Sequence, residues 1–115
     1  MAKRGATLPT TNVDPEEMEA HAGAASRLLS RLSHETRLLV MCHLSQGELS
    51  VGALNDRIPV SQSVLSQHLA LLREDELVTT RREAQTIYYR IADEKAARVL
   101  SVLHELYCKE GGRRS

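Results

Sequence analysis

Residues 49–91 read LSVGALNDRIPVSQSVLSQHLALLREDELVTTRREAQTIYYRI, and this stretch decides the fold. Val51 and Leu54 are spaced for a short helix over about 50–57. Ile58-Pro59-Val60 ends it, because proline disfavours helical backbone at the residue before it. Ser61 restarts the chain as an N-cap. From 61 to about 74, Val64, Leu65, Leu69 and Leu72 mark one apolar face, while Gln62, Ser63, Ser66, Gln67 and Arg73 stay polar. Two β-rich runs follow, LVTTRR and TIYYRI, separated by a three-residue turn at Glu83-Ala84-Gln85, which predicts a hairpin. Two short helices around a tight break, the second amphipathic and followed by a hairpin, make the plan of a winged helix-turn-helix.

Working outward, Asp14 as N-cap, Pro15 at the first helical position and Glu16 and Glu17 in the first turn start a helix. Its apolar residues, Met18, Ala22, Ala25, Leu28, Leu29 and Leu32, recur at helical spacing. Ser33 is placed to cap a second helix from His34, with Leu38, Leu39, Met41 and Cys42, that stops at Ser45-Gln46-Gly47. Beyond the hairpin, Asp93 caps a last helix whose stripe of Ala96, Val99, Leu100, Leu103, Leu106 and Tyr107 ends near Gly111-Gly112. The fold class expected is mainly α with a small β-hairpin, in the order ααααββα. Residues 1–13 read as a disordered arm, 14–110 as one winged-helix domain and 111–115 as a flexible tail.

At 115 residues and 42% hydrophobic content the chain suits one core. With aromatic content of only 3%, that core must come from Leu, Val, Ile, Ala and Met. Fifteen basic side chains balance fifteen acidic ones, so no broad basic field announces nucleic acid, and any such case rests on motif and local geometry. No stretch approaches the 18 or so apolar residues of a membrane span, and the start lacks a secretory apolar region, so a cytoplasmic protein is expected. Neither a Ser-His-Asp order, a glycine-rich phosphate loop nor a carboxylate pair suggests an enzyme. Glu16-Glu17 complements a helix dipole instead.

A helix that enters the major groove needs an apolar face toward its domain and short hydrogen-bonding side chains outward. Ser61, Gln62, Ser63, Ser66, Gln67 and His68 suit phosphate oxygens and base edges. Arg81 and Arg82, with Gln85 and Thr86 at the tip of the wing and Arg90 on the returning strand, suit the flanking backbone and minor groove. The plainer reading is a solvated helix face and an arginine pair that protects a strand edge. A winged helix that binds protein or RNA is the alternative from another class.

The same stretch resembles the ArsR/SmtB family of winged-helix repressors over about 14–110. It is most similar to the HlyU, BigR and SqrR branch in ELSVGAL, LSQHLALLR, LVTTRREAQT and the closing LHELYC. The resemblance implies a homodimer paired through its first and last helices, bound to an inverted repeat in double-stranded promoter DNA and released by an inducer. Arsenic-type members carry Cys-x-Cys at the start of the third helix, where this chain has Ser50-Val51-Gly52. His104 with Glu105 and Tyr107 does not form the zinc-type pattern of the last helix. No metal ligand set and no cofactor is therefore expected, a metal-responsive repressor with a non-standard site being the alternative. Such proteins place Gly after the recognition helix. Asp75-Glu76 stands there, so a left-handed turn falls on a residue with a Cβ.

Cys42 and Cys108 are the only cysteines. From the residues alone they are either small buried apolar groups or a reactive pair. In the branch named above, a cysteine at each of these positions forms a sensing pair, so the resemblance implies a redox switch that responds to sulfane sulfur or an oxidant through a disulfide or polysulfide bridge.

Overall fold

A computed structural model describes residues 10–109. Residues 1–9 of the expected arm and the tail 111–115 lie outside the described residues, and 10–13 carry no regular structure. Asp14 caps the first helix by accepting the Glu16 N–H at 3.0 Å. The single helix expected over 14–32 is two, α1 (Pro15–Glu19) and α2 (Ala22–Leu32), broken at Ala20-His21, where His21 has φ −113° and ψ 1°. Between Met18 and Leu28 the sequence offers no large apolar side chain. Tertiary packing supplies most helical stability, and no packed stripe holds these two pieces in line.

The next helix, α3 (Glu35–Leu44), is capped by His34 and not by Ser33. His34 Nδ1 accepts the Thr36 N–H at 3.1 Å, while the Ser33 hydroxyl turns back and donates to the Ser30 carbonyl at 2.9 Å. A two-residue strand, β1 (Leu49–Ser50), precedes α4 (Val51–Arg57), which Ser50 caps through Ala53 N–H at 3.1 Å. Then come α5 (Gln62–Glu74), β2 (Val78–Glu83), β3 (Thr86–Ile91) and α6 (Glu94–His104), and a π-helical turn over Glu105–Lys109 ends the described chain. The last helix thus widens after His104, where an α-helix to about 110 was expected.

The hairpin gains a third strand, in the antiparallel order β1-β3-β2, with Leu49 opposite Tyr89 and Ser50 opposite Tyr88. Two residues cannot show a period-2 pattern, which is why β1 is silent in the sequence. Glu83 pairs with Thr86, so the turn is the two residues Ala84-Gln85 and not three. Ala84 takes φ +58°, the backbone sign that tight hairpin loops require at their first position. The core beneath is wholly apolar among the described residues and joins Val40, Met41 and Leu44 of α3, Leu54 and Ile58, Leu65, Leu69 and Leu72 of α5, and Ala96 and Leu100 of α6.

The turn after α5 is left-handed, with Glu76 at φ +61°. Leu77 N–H reaches Leu72 C=O at 2.9 Å and Glu76 N–H reaches Arg73 C=O at 2.9 Å, the two bonds of a Schellman cap, with buried Leu72 and Leu77 as its apolar contact. A Cβ in this backbone region costs on the order of 1 kcal/mol, partly offset by the extra freedom a glycine brings to the unfolded chain. Glu76→Gly is therefore expected to raise the melting temperature by roughly 2–5 °C. A calorimetric scan showing no change or a fall would contradict the turn geometry.

Candidate nucleic-acid interface

Helix α5 is set for exposure by its own pattern. Leu65, Leu69 and Leu72 lie fully inside, and Gln62, Ser63, Ser66 and Gln67 lie on the exposed side. The Ile-Pro-Val break is braced by Asn55, whose Nδ2 donates to the Val60 carbonyl at 2.8 Å. Val64, assigned by periodicity to the packed face, is 39% exposed, which adds an apolar side chain to the outward surface.

Three of the sequence-picked residues are already engaged within the protomer. Ser61 spends its hydroxyl on the cap, accepting Val64 N–H at 3.1 Å. His68 turns toward α3 and is half-buried, its ring centroid 4.3 Å from that of His34 and its Nδ1 3.1 Å from Arg37 Nη1. A guanidinium only donates, so His68 Nδ1 accepts and the neutral ring carries its proton on Nε2. Burial, then the positive charges of His34 and Arg37, push the His68 imidazole below its usual range.

The third is Arg81. Its Nε and Nη2 donate to the two carboxylate oxygens of Glu48 at 2.8 and 2.9 Å, Nη1 donates to Glu83 at 3.0 Å, and the guanidinium lies 4.5 Å over the ring of Tyr88, its cross-strand partner. These carboxylates push the Arg81 pKa up, and its hydrogen bonds and charge hold Glu48 below the ordinary carboxylate range. The bidentate fork expected on a phosphate is thus closed on Glu48. Arg82, Gln85 and Thr86 remain exposed along the wing and at its tip.

The acidic residues after α5 also behave differently from a simple charge balance. Asp75 faces α2, where Arg27 Nη2 donates to it at 2.8 Å and Arg31 Nε donates to its other oxygen, so it neutralises neither Arg73 nor the wing. The hydrogen bond from Arg27, followed by that from Arg31, lowers the Asp75 pKa. Glu48, Arg27, Arg31 and Arg37 went unread in the sequence because each partner lies on a distant element, with no local spacing to mark it.

Both cysteines are free thiols and exposed, which removes the reading of Cys42 as a core residue of the protomer. Burial, and then the charge of Cys108, push the Cys42 thiol up. Cys42 stands at the edge of an open hollow of about 940 Å³, lined by Glu48, Arg90, Asp93 and His104 among others. Among the described residues no group of three or more His, Cys, Asp or Glu is arranged to hold a metal ion, and no helix is long and apolar enough to cross a membrane.

A helix-turn-helix with an exposed polar recognition helix and a three-stranded wing defines a winged-helix DNA-binding regulator. The pattern described as "Bacterial regulatory protein, arsR family" matches residues 34–80. The chain is 47% identical over 94 residues to the transcriptional activator HlyU of Vibrio cholerae, covering 82% of this chain and 87% of that protein. A structure of reduced HlyU from that organism superposes with a TM-score of 0.77, over 82% of this chain and 99% of that one. The crystal structure of the transcriptional repressor BigR from Xylella fastidiosa superposes with a TM-score of 0.80 at 42% identity, over 84% of this chain and 98% of that one. The homodimeric winged helix-turn-helix DNA-binding domain of a Mycobacterium bovis protein superposes with a TM-score of 0.70 at 27% identity, over 88% and 93%. This chain belongs to the arsR family and is a DNA-binding transcriptional regulator.

Proposed function

We propose that this regulator works as a homodimer on an inverted repeat in double-stranded promoter DNA, and that joining Cys42 to Cys108 releases it. The observation that carries the reading is the pairing of the chain's two cysteines. Both are free and exposed in the protomer, Cys42 on α3 and Cys108 in the turn that ends the last helix. Where two exposed thiols can meet, an oxidised sulfur on one is captured by the other.

Dimerisation is supported by apolar side chains that the protomer leaves uncovered on its first and last helices. Met18 and Leu29 are 45% and 57% exposed, and Val102, Leu106 and Tyr107 are 51%, 66% and 76% exposed. Patches of this kind mark interfaces, and the Mycobacterium bovis neighbour is a homodimer. A two-fold dimer presents two recognition helices, which read half-sites about 34 Å apart, so a small rotation between protomers breaks their register. Gln62, Ser63, Ser66 and Gln67 face the base edges, Ser61 the phosphate next to its cap, and Arg82, Gln85 and Thr86 the flanking backbone. His68 and Arg81 hold these elements in place. Repression or anti-repression then follows from what else the operator overlaps, and the relatives include both an activator and a repressor by name.

The chemistry balances with either inducer class. With a peroxide, one thiolate takes an oxygen to become a sulfenic acid. The second thiol attacks that sulfur and expels water, so the pair gives up two electrons and the peroxide is reduced. With a hydropersulfide, the outer sulfur passes to one cysteine and leaves a thiol behind, and the second cysteine then attacks the inner sulfur and releases hydrogen sulfide. A direct disulfide requires the Cα atoms within about 7 Å, and an inserted sulfur lengthens the span. Intact-protein mass spectrometry after glutathione persulfide or hydrogen peroxide is expected to show a bridged mass in the wild type only. Cys42→Ser and Cys108→Ser should each retain DNA binding under the same treatment. Unchanged mass in the wild type, or release of both variants, would overturn the proposal.

Glu48 closes the Arg81 fork, so Glu48→Gln is expected to open it and remove one negative charge from the wing. Each additional phosphate neutralised steepens the slope of log affinity against log salt by about 0.9 for duplex DNA. Anisotropy over a salt series should show tighter binding at low salt with that steeper slope. A parallel line would mean that Arg81 stays off the DNA even when freed.

A further inference from the structure

The recognition helix is fastened to the elbow between α2 and α3 by a run of polar contacts that core packing does not require. At its C-cap, Asp75 accepts from Arg27 at 2.8 Å and from Arg31. The Arg31 carbonyl accepts Arg37 Nε–H at 2.6 Å, and the Ser30 carbonyl accepts Arg37 Nη2–H at 3.4 Å. Arg37 Nη1 donates to His68 Nδ1 at 3.1 Å, the His68 ring lies 4.3 Å from that of His34 at a tilt of 44°, and His34 caps α3 through the Thr36 N–H. The run therefore touches α5 at its middle and at its end, and each of these joints on α5 crosses to another element.

Leu65, Leu69 and Leu72 set how deeply α5 sits, but burial of apolar area is non-directional. Hydrogen bonds weaken steeply as they bend, so they fix rotation and slide. We propose that His68 and Asp75 are positioning residues: the chain Asp75–Arg31–Arg37–His68–His34 fixes the rotation of the recognition helix against α2 and α3, and so sets selectivity for the operator more than general affinity for DNA. The inference rests on the DNA-binding activity of the family and is independent of the thiol chemistry.

The titratable and charged groups that face His68 are His34 and Arg37 on α3, and both oppose its protonation. Protonation removes the Nδ1 acceptor and places a positive charge against the Arg37 guanidinium. Selectivity should therefore be complete when the ring is neutral and fall as the pH drops below the usual histidine range, about 6.5. The contribution of the neutral ring to stability is lost in the same direction.

The test compares anisotropy on a duplex selected by the wild-type protein from a randomised pool with that on a random duplex of equal length. At pH 7.5, His68→Ala and Asp75→Ala are expected to lower the ratio of the two affinities about tenfold, a change of about 1.4 kcal/mol, while random-duplex binding stays level. A His34→Asn background, which retains the α3 cap, removes the other titrating ring. There the chain with His68 should lose selectivity at pH 5.5. His68→Asn, whose Oδ1 accepts from Arg37 without titrating, should keep it. Urea midpoints report folding of each variant separately. An unchanged ratio in His68→Ala and Asp75→Ala, or a His68→Asn variant as pH-sensitive as its parent, would overturn the proposal.

Discussion

Placing glutamate at both Val102 and Leu106 is expected to yield a monomer whose affinity for the selected operator is lower by about a hundredfold or more. The two residues lie four apart, Val102 on α6 and Leu106 in the turn that follows it, and they are 51% and 66% exposed in the protomer. As rim residues of a monomer they would tolerate charge at little cost. Inside a two-fold interface each substitution appears twice, and burying an unpaired carboxylate is costly enough to separate the protomers. Losing the second half-site forfeits the effective concentration that links the two recognition helices, a gain of about 10²–10⁴ in avidity. Sedimentation velocity reads the assembly and anisotropy the affinity. A variant that stays dimeric would place the interface elsewhere on the chain.

Leu69→Ala carries the largest expected effect on stability. Leu69 is 1% exposed and lies on the inner face of α5 between Leu65 and Leu72, both wholly buried. Truncation loses the transfer energy of the removed methyl groups and leaves a cavity, together about 2–5 kcal/mol for a buried leucine. Domains of this size hold only about 5–15 kcal/mol in total. The urea midpoint should therefore fall by a large fraction of its wild-type value. In contrast, Val64→Ala, at a position 39% exposed, should change stability little while altering contacts on the DNA side. If the two variants proved equally destabilising, the orientation of α5 would be wrong.

Much of this architecture is legible in the sequence because its signals are local. Asp14, Ser61 and Asp93 each act as the cap that their position suggests, and the period of Leu65, Leu69 and Leu72 fixes which face of α5 is buried. What the sequence conceals depends on distant partners. Ser33 has the composition of a cap, yet His34, whose ring also packs at a tilt against His68, takes the role. The strand β1 exists only because Tyr88 and Tyr89 offer it an edge. Left-handed backbone at Ala84 escapes notice because the residue is not glycine, whereas that at Glu76 is expected only from the resemblance, which places a glycine there. At the candidate interface, type and spacing pick out Arg81 and His68 as readily as Arg82 and Gln67. Only the positions of Glu48 and Arg37 separate side chains that meet solvent from those spent inside the protomer.

The cysteine pair is the part of the site where sequence and structure bear on each other most closely. Position alone leaves a buried Cys42 open, and its exposure beside Cys108 closes that option for the protomer. The apolar stripe beside Cys108, with Leu106 and Tyr107 exposed, places the proposed bridge next to the proposed dimer contact. In the proposed mechanism a bridge formed there changes the angle between protomers.

The most direct test is a redox cycle on one sample of wild-type protein bound to its selected duplex, followed by anisotropy. The reduced protein should bind, hydrogen peroxide or glutathione persulfide should release it as the bridged mass appears, and dithiothreitol should restore both the reduced mass and the binding. A sample that carries the Cys42–Cys108 bridge and still holds the duplex with its reduced-state affinity would contradict the account.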